Sequence, residues 1–350
     1  MSLPENANVD LYTRNGFAGP LTTVARASYS PDYTRVVGTY CPQRLDPSAL
    51  GTLGNSGDLP ITVLHSATAR LDVWRRDADT PFAIRDVRHD QLLCVEHGTA
   101  RLETDFGVLE LEPLDMVLLP RAVSYRLSRV ESLRMTILVT PERLYLDPDI
   151  GDVLDLDVHV HGTRPYEPGE VRSGEQELVV RHGDAVTSYF YDYDPLAVLQ
   201  VEGAPVVQRF NLGNVTPPPS TGPFASPPSR LVCGDQTESL VFYLGAREAS
   251  RPPVHHNADY DEVVVFSRGP GAWGHLTTPG TMVWVPKGLI HRGPEENVPE
   301  GYIAWLLESR VHFEATPAGK AMGELMETDS FDVHPSVKTA SVSTASLDLS

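Results

Sequence analysis

Pro252 to Pro294 reads PPVHHNADYDEVVVFSRGPGAWGHLTTPGTMVWVPKGLIHRGP. Side chains that bind divalent metals well stand at both ends of it, and the text between them reads as strand, turn, strand. His256 and Glu262 come just before the β-branched run Val263-Val264-Val265-Phe266. A second run, Thr281-Met282-Val283-Trp284-Val285, reaches His291 through the turn Pro286-Lys287-Gly288. Two imidazoles and one carboxylate on one face suit a borderline cation such as Fe(II) and leave coordination positions open. His256, Glu262 and His291 are therefore the expected metal ligands.

Outside this stretch the chain is a series of short strand-like runs. With 30 prolines and 27 glycines among 350 residues, punctuation is too frequent for long helices, and an all-β fold is expected. Residues 1–60 are polar and irregular and read as an arm wrapping a first barrel, 61–146. Residues 147–229 connect the barrels: 147–185 read as a solvated, acidic linker, Pro195–Asn214 as mixed strand and loop, and 216–229 as a proline-rich loop that is a surface connection or part of a lid. A second barrel follows at 230–315, then a short helix at Lys320–Glu327 within 316–350, whose small polar tail is expected to be disordered.

The composition excludes several classes. A formal charge of −19 opposes binding to phosphate backbones, so nucleic acid is not expected as a partner. The chain contains no apolar run near the length of a membrane span. The first residues lack the basic start and apolar core of a secretory signal. Cys41, Cys94 and Cys233 are scattered and odd in number, which suits a reducing cytoplasm and no disulfide framework.

The two strand-rich blocks repeat one another. Gln91–Gly98 aligns with Glu262–Gly269, and Asp115–Tyr125 with Thr281–His291. At the three ligand positions the first block carries Arg85, Gln91 and Tyr125. The scaffold is present twice and the ligand types once, as expected of a structural barrel fused to a metal-binding one.

Gly280-x5-Pro286-x-Gly288-x2-His291 resembles the second motif of the cupin barrels, at hairpin distance from the His/Glu motif. The chain also resembles the homogentisate 1,2-dioxygenase family, and more closely its shorter actinobacterial members. Gly98–Gly107 and Pro120–Tyr125 look like that family's non-catalytic barrel, Asp194–Val198 and Phe210–Leu212 like its connecting segment, and His256–Glu262 and His291–Pro294 like its iron site. The resemblance covers roughly residues 16 to 315. It implies a bicupin, two jelly-roll (double-stranded β-helix) barrels, that holds Fe(II) and uses O2 to cleave a hydroxylated aromatic ring. Relatives of this family assemble into multimers, so a homo-oligomer is expected.

The family's substrate-gripping tyrosine corresponds to Gly271 here and a substrate-contacting histidine to Val285. Its acid/base histidine falls near Gly222 to Ala225, where this chain has none. The residues before the first ligand are Val254 and His255 rather than aromatic. The same iron chemistry on a substrate other than homogentisate is the expectation, with Val254, Gly271, Trp284 and Val285 as pocket positions; Trp284, as a large aromatic, suits the core better. Adjacent strand residues face opposite ways, which places His255 outside the cavity that His256 enters. His255, His275 and Tyr260 are the acid/base candidates. A Zn, Mn or Ni isomerase or hydrolase, and a non-catalytic small-molecule-binding bicupin, are the alternative readings.

Overall fold

A strand that lies between its own barrel's interior and the seam with the other barrel must satisfy two apolar environments. Asp261–Arg268 does so by alternation. Val263 and Val265 join the core shared by the barrels, while Val264 and Phe266 join a separate core inside the second barrel. The computed structural model describes residues 7–16, 20–29, 33–50, 59–183, 185–216, 228–247, 253–270, 276–293 and 298–333. Across them the expected all-β bicupin architecture is present.

The first barrel is organised by the antiparallel strands Asp90–Thr104 and Ser124–Thr140. Their register shifts between Ser128 and Met135, where Arg129 and Ser132 take φ of 52° and 46° and the facing Gly98 takes 76°. A Cβ on Gly98 would stand 2.3 Å from the Glu131 carbonyl oxygen, so this bulge requires glycine. Across the bend the second strand changes neighbours, from Ala83–Asp86 to Arg70–Arg76. Leu93, Val95, Val117, Met135 and Ile137 fill the interior.

In the second barrel Asp261–Arg268 lies between Met282–Val285 and Val298–Ser309, and the latter pairs onward with Ser239–Arg247. Leu71, Leu92 and Leu138 meet Val263, Trp305 and Leu307 at the seam. The Trp305 indole N–H donates to Glu96 Oε1 of the first barrel at 3.2 Å.

Three expectations are revised. The arm serves the second barrel: Asn8–Thr13 pairs in parallel with His255–Asn257, and Gln43–Leu45 pairs with Met282–Trp284. It thereby covers a sheet edge whose amide groups would otherwise lack partners. The C-terminal helix is Pro317–Met322, with the Thr316 hydroxyl accepting from Gly319 N and proline in the first turn. It stops because Gly323–Leu325 pairs with Gln43–Leu45 as a strand.

The connection after residue 147 is not a solvated linker. Gln176–His182 pairs with Ala83–Asp86, while Gln208–Asn211, within the run expected to mix strand and loop, pairs with Asp115–Leu119. Asp194 is tied to buried Arg126, whose Nη1 donates at 2.8 Å. The body of the proline-rich loop (217–227) and the tail (334–350) lie outside the described residues. No helix among the described residues is long and apolar enough to cross a membrane.

Burial pushes the Glu96 carboxyl up to about 7. A carboxyl raised on folding costs nothing at low pH, and its penalty grows as pH rises from the unfolded value toward the folded one. Glu96→Gln keeps the acceptor for Trp305 and removes the ionisation. Denaturant unfolding should show little difference from wild type near pH 5 and a gain on the order of 3 kcal/mol at pH 8. An equal effect at both pH values would show that Glu96 does not titrate in this way.

Candidate metal centre

His255 and His291 sit on neighbouring segments that exchange both backbone hydrogen bonds, His255 N to His291 O at 2.9 Å and His291 N to His255 O at 2.8 Å. Directly paired residues put their side chains on the same face, and the two rings lie 4.3 Å apart, centroid to centroid. Glu262 enters in the same phase as Val264 and Phe266. One ligand atom each from His255, Glu262 and His291 fall within 4.8 Å of one another. Glu262 and His291 are buried and His255 half-buried.

The expected alternation of His255 and His256 is present with the opposite phase. His256 turns away from Glu262, its Nδ1 standing 3.0 Å from Asp10 Oδ1, with Tyr12 edge-on to its ring. Buried Asp10 also accepts from Arg26 Nη2 at 2.6 Å. The reason is the arm, since its parallel pairing sets Tyr12 beside His256 and supplies a charged partner on the outer face. The phase cannot be counted back from Glu262 because a turn intervenes. Asn257 Oδ1 accepts from Asp259 N at 3.1 Å and Tyr260 N at 3.2 Å, which breaks the strand.

Backbone carbonyls orient both imidazoles of the cluster. His255 Nδ1 is 2.7 Å from Pro253 O and His291 Nδ1 3.0 Å from Leu289 O. With Nδ1–H donating, Nε2 is the nitrogen that carries the lone pair. Burial, and then the proximity of His291, push His255 down to about 4, so it is neutral at ordinary pH.

Burial also opposes the charge on Glu262, but His291 and its hydrogen bond outweigh it and hold the carboxyl below its usual range. His291 is raised in turn, burial opposing and Glu262 favouring its charge. Its Nε2 stands 3.3 Å from Glu262 Oε2. Glu262 Oε1 is buried with no hydrogen-bond partner among the described residues. An orphaned carboxylate oxygen beside two oriented imidazoles fits a divalent cation, which would take the place of the proton on His291.

The other sequence candidates separate. Tyr260 is buried in the second barrel's core, but its hydroxyl donates to Thr237 O at 2.8 Å and accepts from Arg310 Nη2 at 2.6 Å. These bonds occupy its proton in structure. Trp284 belongs to the seam, with its indole N–H donating to Asp261 Oδ2 at 3.1 Å. Val285 faces Glu262 in the strand pair and joins the interior core. Val254 precedes His255, its carbonyl accepting from Leu11 N at 2.9 Å. Gly271 and His275 lie outside the described residues.

Sequence reading missed Glu308. It is directly opposite Glu262 across the strands and fully buried, with Asn257 Nδ2 donating to its Oε1 at 3.0 Å. Burial, then the charge of Glu262, hold its carboxyl well above the ordinary range. The signal was present: Glu308 continues the inward phase of Ala304 and Leu306. The arm closes over it, because a Cβ on Gly16 would meet Glu308 Oε2 at 2.1 Å.

These features define an all-β bicupin with a His/Glu/His cluster inside its second barrel. No family model matches the sequence. Homogentisate 1,2-dioxygenase of Rhodopseudomonas palustris (strain HaA2) is 24% identical over 184 residues, covering 46% of this chain and 39% of that protein. Less than half of that relative's length is therefore matched. Among solved structures, salicylate 1,2-dioxygenase from Pseudaminobacter salicylatoxidans is similar at 10% identity and a TM-score of 0.44, covering 81% of this chain and 90% of that one. A cupin 2 conserved barrel domain protein from Leptotrichia buccalis is similar at 8% identity and a TM-score of 0.38, covering 72% and 88%.

The two adjacent histidines are distinguished by metal content measured on anaerobically purified protein reconstituted with Fe(II). His255→Ala and Glu262→Ala should each lower bound metal by at least about tenfold. His256→Ala should retain it while losing the Asp10 contact. The reverse order for the two histidines would restore His256 as the ligand.

Proposed function

We propose that the second barrel holds Fe(II) through His255, Glu262 and His291, and that the protein is a dioxygenase cleaving a hydroxylated aromatic ring. The carrying observation is the convergence of these three side chains in an enclosed interior, where the matching first-barrel positions hold Gln91, Tyr125 and, in place of the expected Arg85, Ile84, which pairs with Tyr125. The similarity to a homogentisate 1,2-dioxygenase supports the reaction class. The ligand set supports the metal, since two imidazoles and one carboxylate are the donors of non-haem Fe(II) oxygenases.

Bound Fe(II) would supply a template for O2 and an anionic substrate oxygen, and a path for electrons between them. The residues of the chain set the conditions. Val264, Phe266, Val283 and Val285 belong to the apolar core of the same barrel, and Val285 is the strand partner of Glu262, which limits competing water. Glu308 is fixed by Asn257, and burial together with the charge of Glu262 holds its carboxyl above the ordinary range, which disfavours a second negative charge beside Glu262. One ionised carboxylate therefore faces the dication, and an anionic phenolate is favoured. Val285 offers no hydrogen bond to a substrate group, which is the basis for proposing a substrate other than homogentisate. The expected setting is a cytoplasmic homo-oligomer.

Oxygen uptake by Fe(II)-reconstituted protein, screened against catechols, hydroquinones and aminophenols, tests the reading. At least one should give uptake with loss of aromatic absorbance at about 1 s⁻¹ or faster. Glu262→Ala should be inactive and homogentisate a poor substrate. Retention of Zn or Mn in preference to iron, without oxygen uptake, would move the assignment to a metal-dependent isomerase or hydrolase.

A further inference from the structure

A cavity of about 50 Å³ lies at the seam between the barrels, and none of the three cluster residues lines it. Leu50 of the arm, Val73 and Thr136 of the first barrel and Pro279 and Gly280 of the second form its walls. Two further features of the lining point to a ligand.

The first is Glu96, only 3% exposed. Its Oε1 accepts from Trp305, and its Oε2 is buried with no hydrogen bond of good geometry among the described residues, the Ser267 and Thr136 hydroxyls being close enough only to favour the carboxyl's charge. An unmatched buried acceptor costs about 1–3 kcal/mol, more when charged. The second feature is a pair of arginines. Arg75 and Arg134 both line the cavity and lie directly opposite one another on paired strands. Like charges so placed repel. Both are half-buried, and neither has an ion-pair partner among the described residues. In a chain with 47 acidic and 28 basic residues, two adjacent guanidinium groups with no ion pair among the described residues are a local inversion of the overall charge.

Alternation puts the three on one face. Arg134 shares the phase of Thr136 and Leu138, and Arg75 that of Val73 and Leu71; Leu138, Val73 and Leu71 belong to the seam core. Glu96 is the deeply buried member and the arginines the more exposed ones. The cavity thus offers paired cationic donors outside and an acceptor within.

We propose that this seam binds a small hydroxycarboxylate, its carboxylate on Arg75 and Arg134 and its hydroxyl donating to Glu96 Oε2. Guanidinium–carboxylate bonds are charge-assisted and directional. The volume has room for about four waters, the scale of a two-carbon hydroxy acid. The site is independent of the metal reading, because it shares no residue with the cluster.

The probes are glycolate, acetate and ethylene glycol, titrated at pH 8 into the full-length Glu262→Ala variant so that binding at the cluster is not counted. Tryptophan emission is a direct readout, since Trp74 lines the cavity and Trp305 bonds Glu96. Thermal unfolding is the second readout. Glycolate should bind saturably and at least about tenfold more tightly than acetate or ethylene glycol. In the same background Arg134→Met and Arg75→Met should each weaken glycolate by a similar factor, and Glu96→Gln should bring glycolate down to the level of acetate. A saturable response to glycolate that these replacements leave unchanged would overturn the site. So would equal binding of glycolate and acetate, or no saturable response in protein that unfolds cooperatively.

Discussion

The period of two along each strand, combined with an apolar environment on both faces, is the constraint that places the centre. Asp261–Arg268 cannot slip by one residue without exchanging Val264 and Phe266 with Val263 and Val265 between interior and seam. Glu262 shares the phase of the first pair and is carried inward by it. The same holds for Glu308 behind Ala304 and Leu306. Packing of ordinary apolar side chains thus supplies the leverage that keeps two carboxylates in a place where solvation alone would not leave them.

That constraint also explains which parts of the site were legible. Glu262 and His291 lie in or at the end of continuous apolar runs whose counterparts in the first barrel fix their positions. His255 lies beyond the Asn257 turn, where local alternation no longer reports the phase. The repeat did contain the answer. In the first barrel Ile84, not Arg85, pairs with Tyr125 and joins the interior core, while Arg85 donates outward to Ser124 Oγ at 2.7 Å. Ile84 stands seven residues before Gln91, and His255 seven before Glu262. An apolar residue followed by a charged one is a stronger mark of inward phase than a His/Glu spacing. The arm and the connection were less legible because edge pairing depends on backbone groups far apart in sequence. No side-chain pattern within Gln43–Leu45 or Gln176–His182 announces the partner strand.

Burying carboxylates needs compensation, and this fold uses more than one form of it. Asp10 is held by Arg26 and His256, and Asp194 by Arg126. Glu308 and Glu96 have their ionisation pushed upward instead. Glu262 remains ionised with His291 on one oxygen and nothing among the described residues on the other. A cation completes that compensation more economically than a further side chain, since His255 is already neutral and close.

The first barrel shows the same geometry solved without charge. Tyr125 Oη donates to Gln91 Oε1 at 3.2 Å, close to the 3.3 Å between His291 and Glu262, and Ile84 fills the place that His255 takes. The neutral set needs no cation, and Trp74 packs edge-on against Tyr125. Intermediate sets are unfavourable. A glutamate at position 91 beside Ile84 and Tyr125 would bury an unpaired charge, and a lone imidazole at position 84 would lose apolar contacts without gaining a partner. The three positions are therefore coupled, with His255, Glu262 and His291 together in one barrel and Ile84, Gln91 and Tyr125 together in the other.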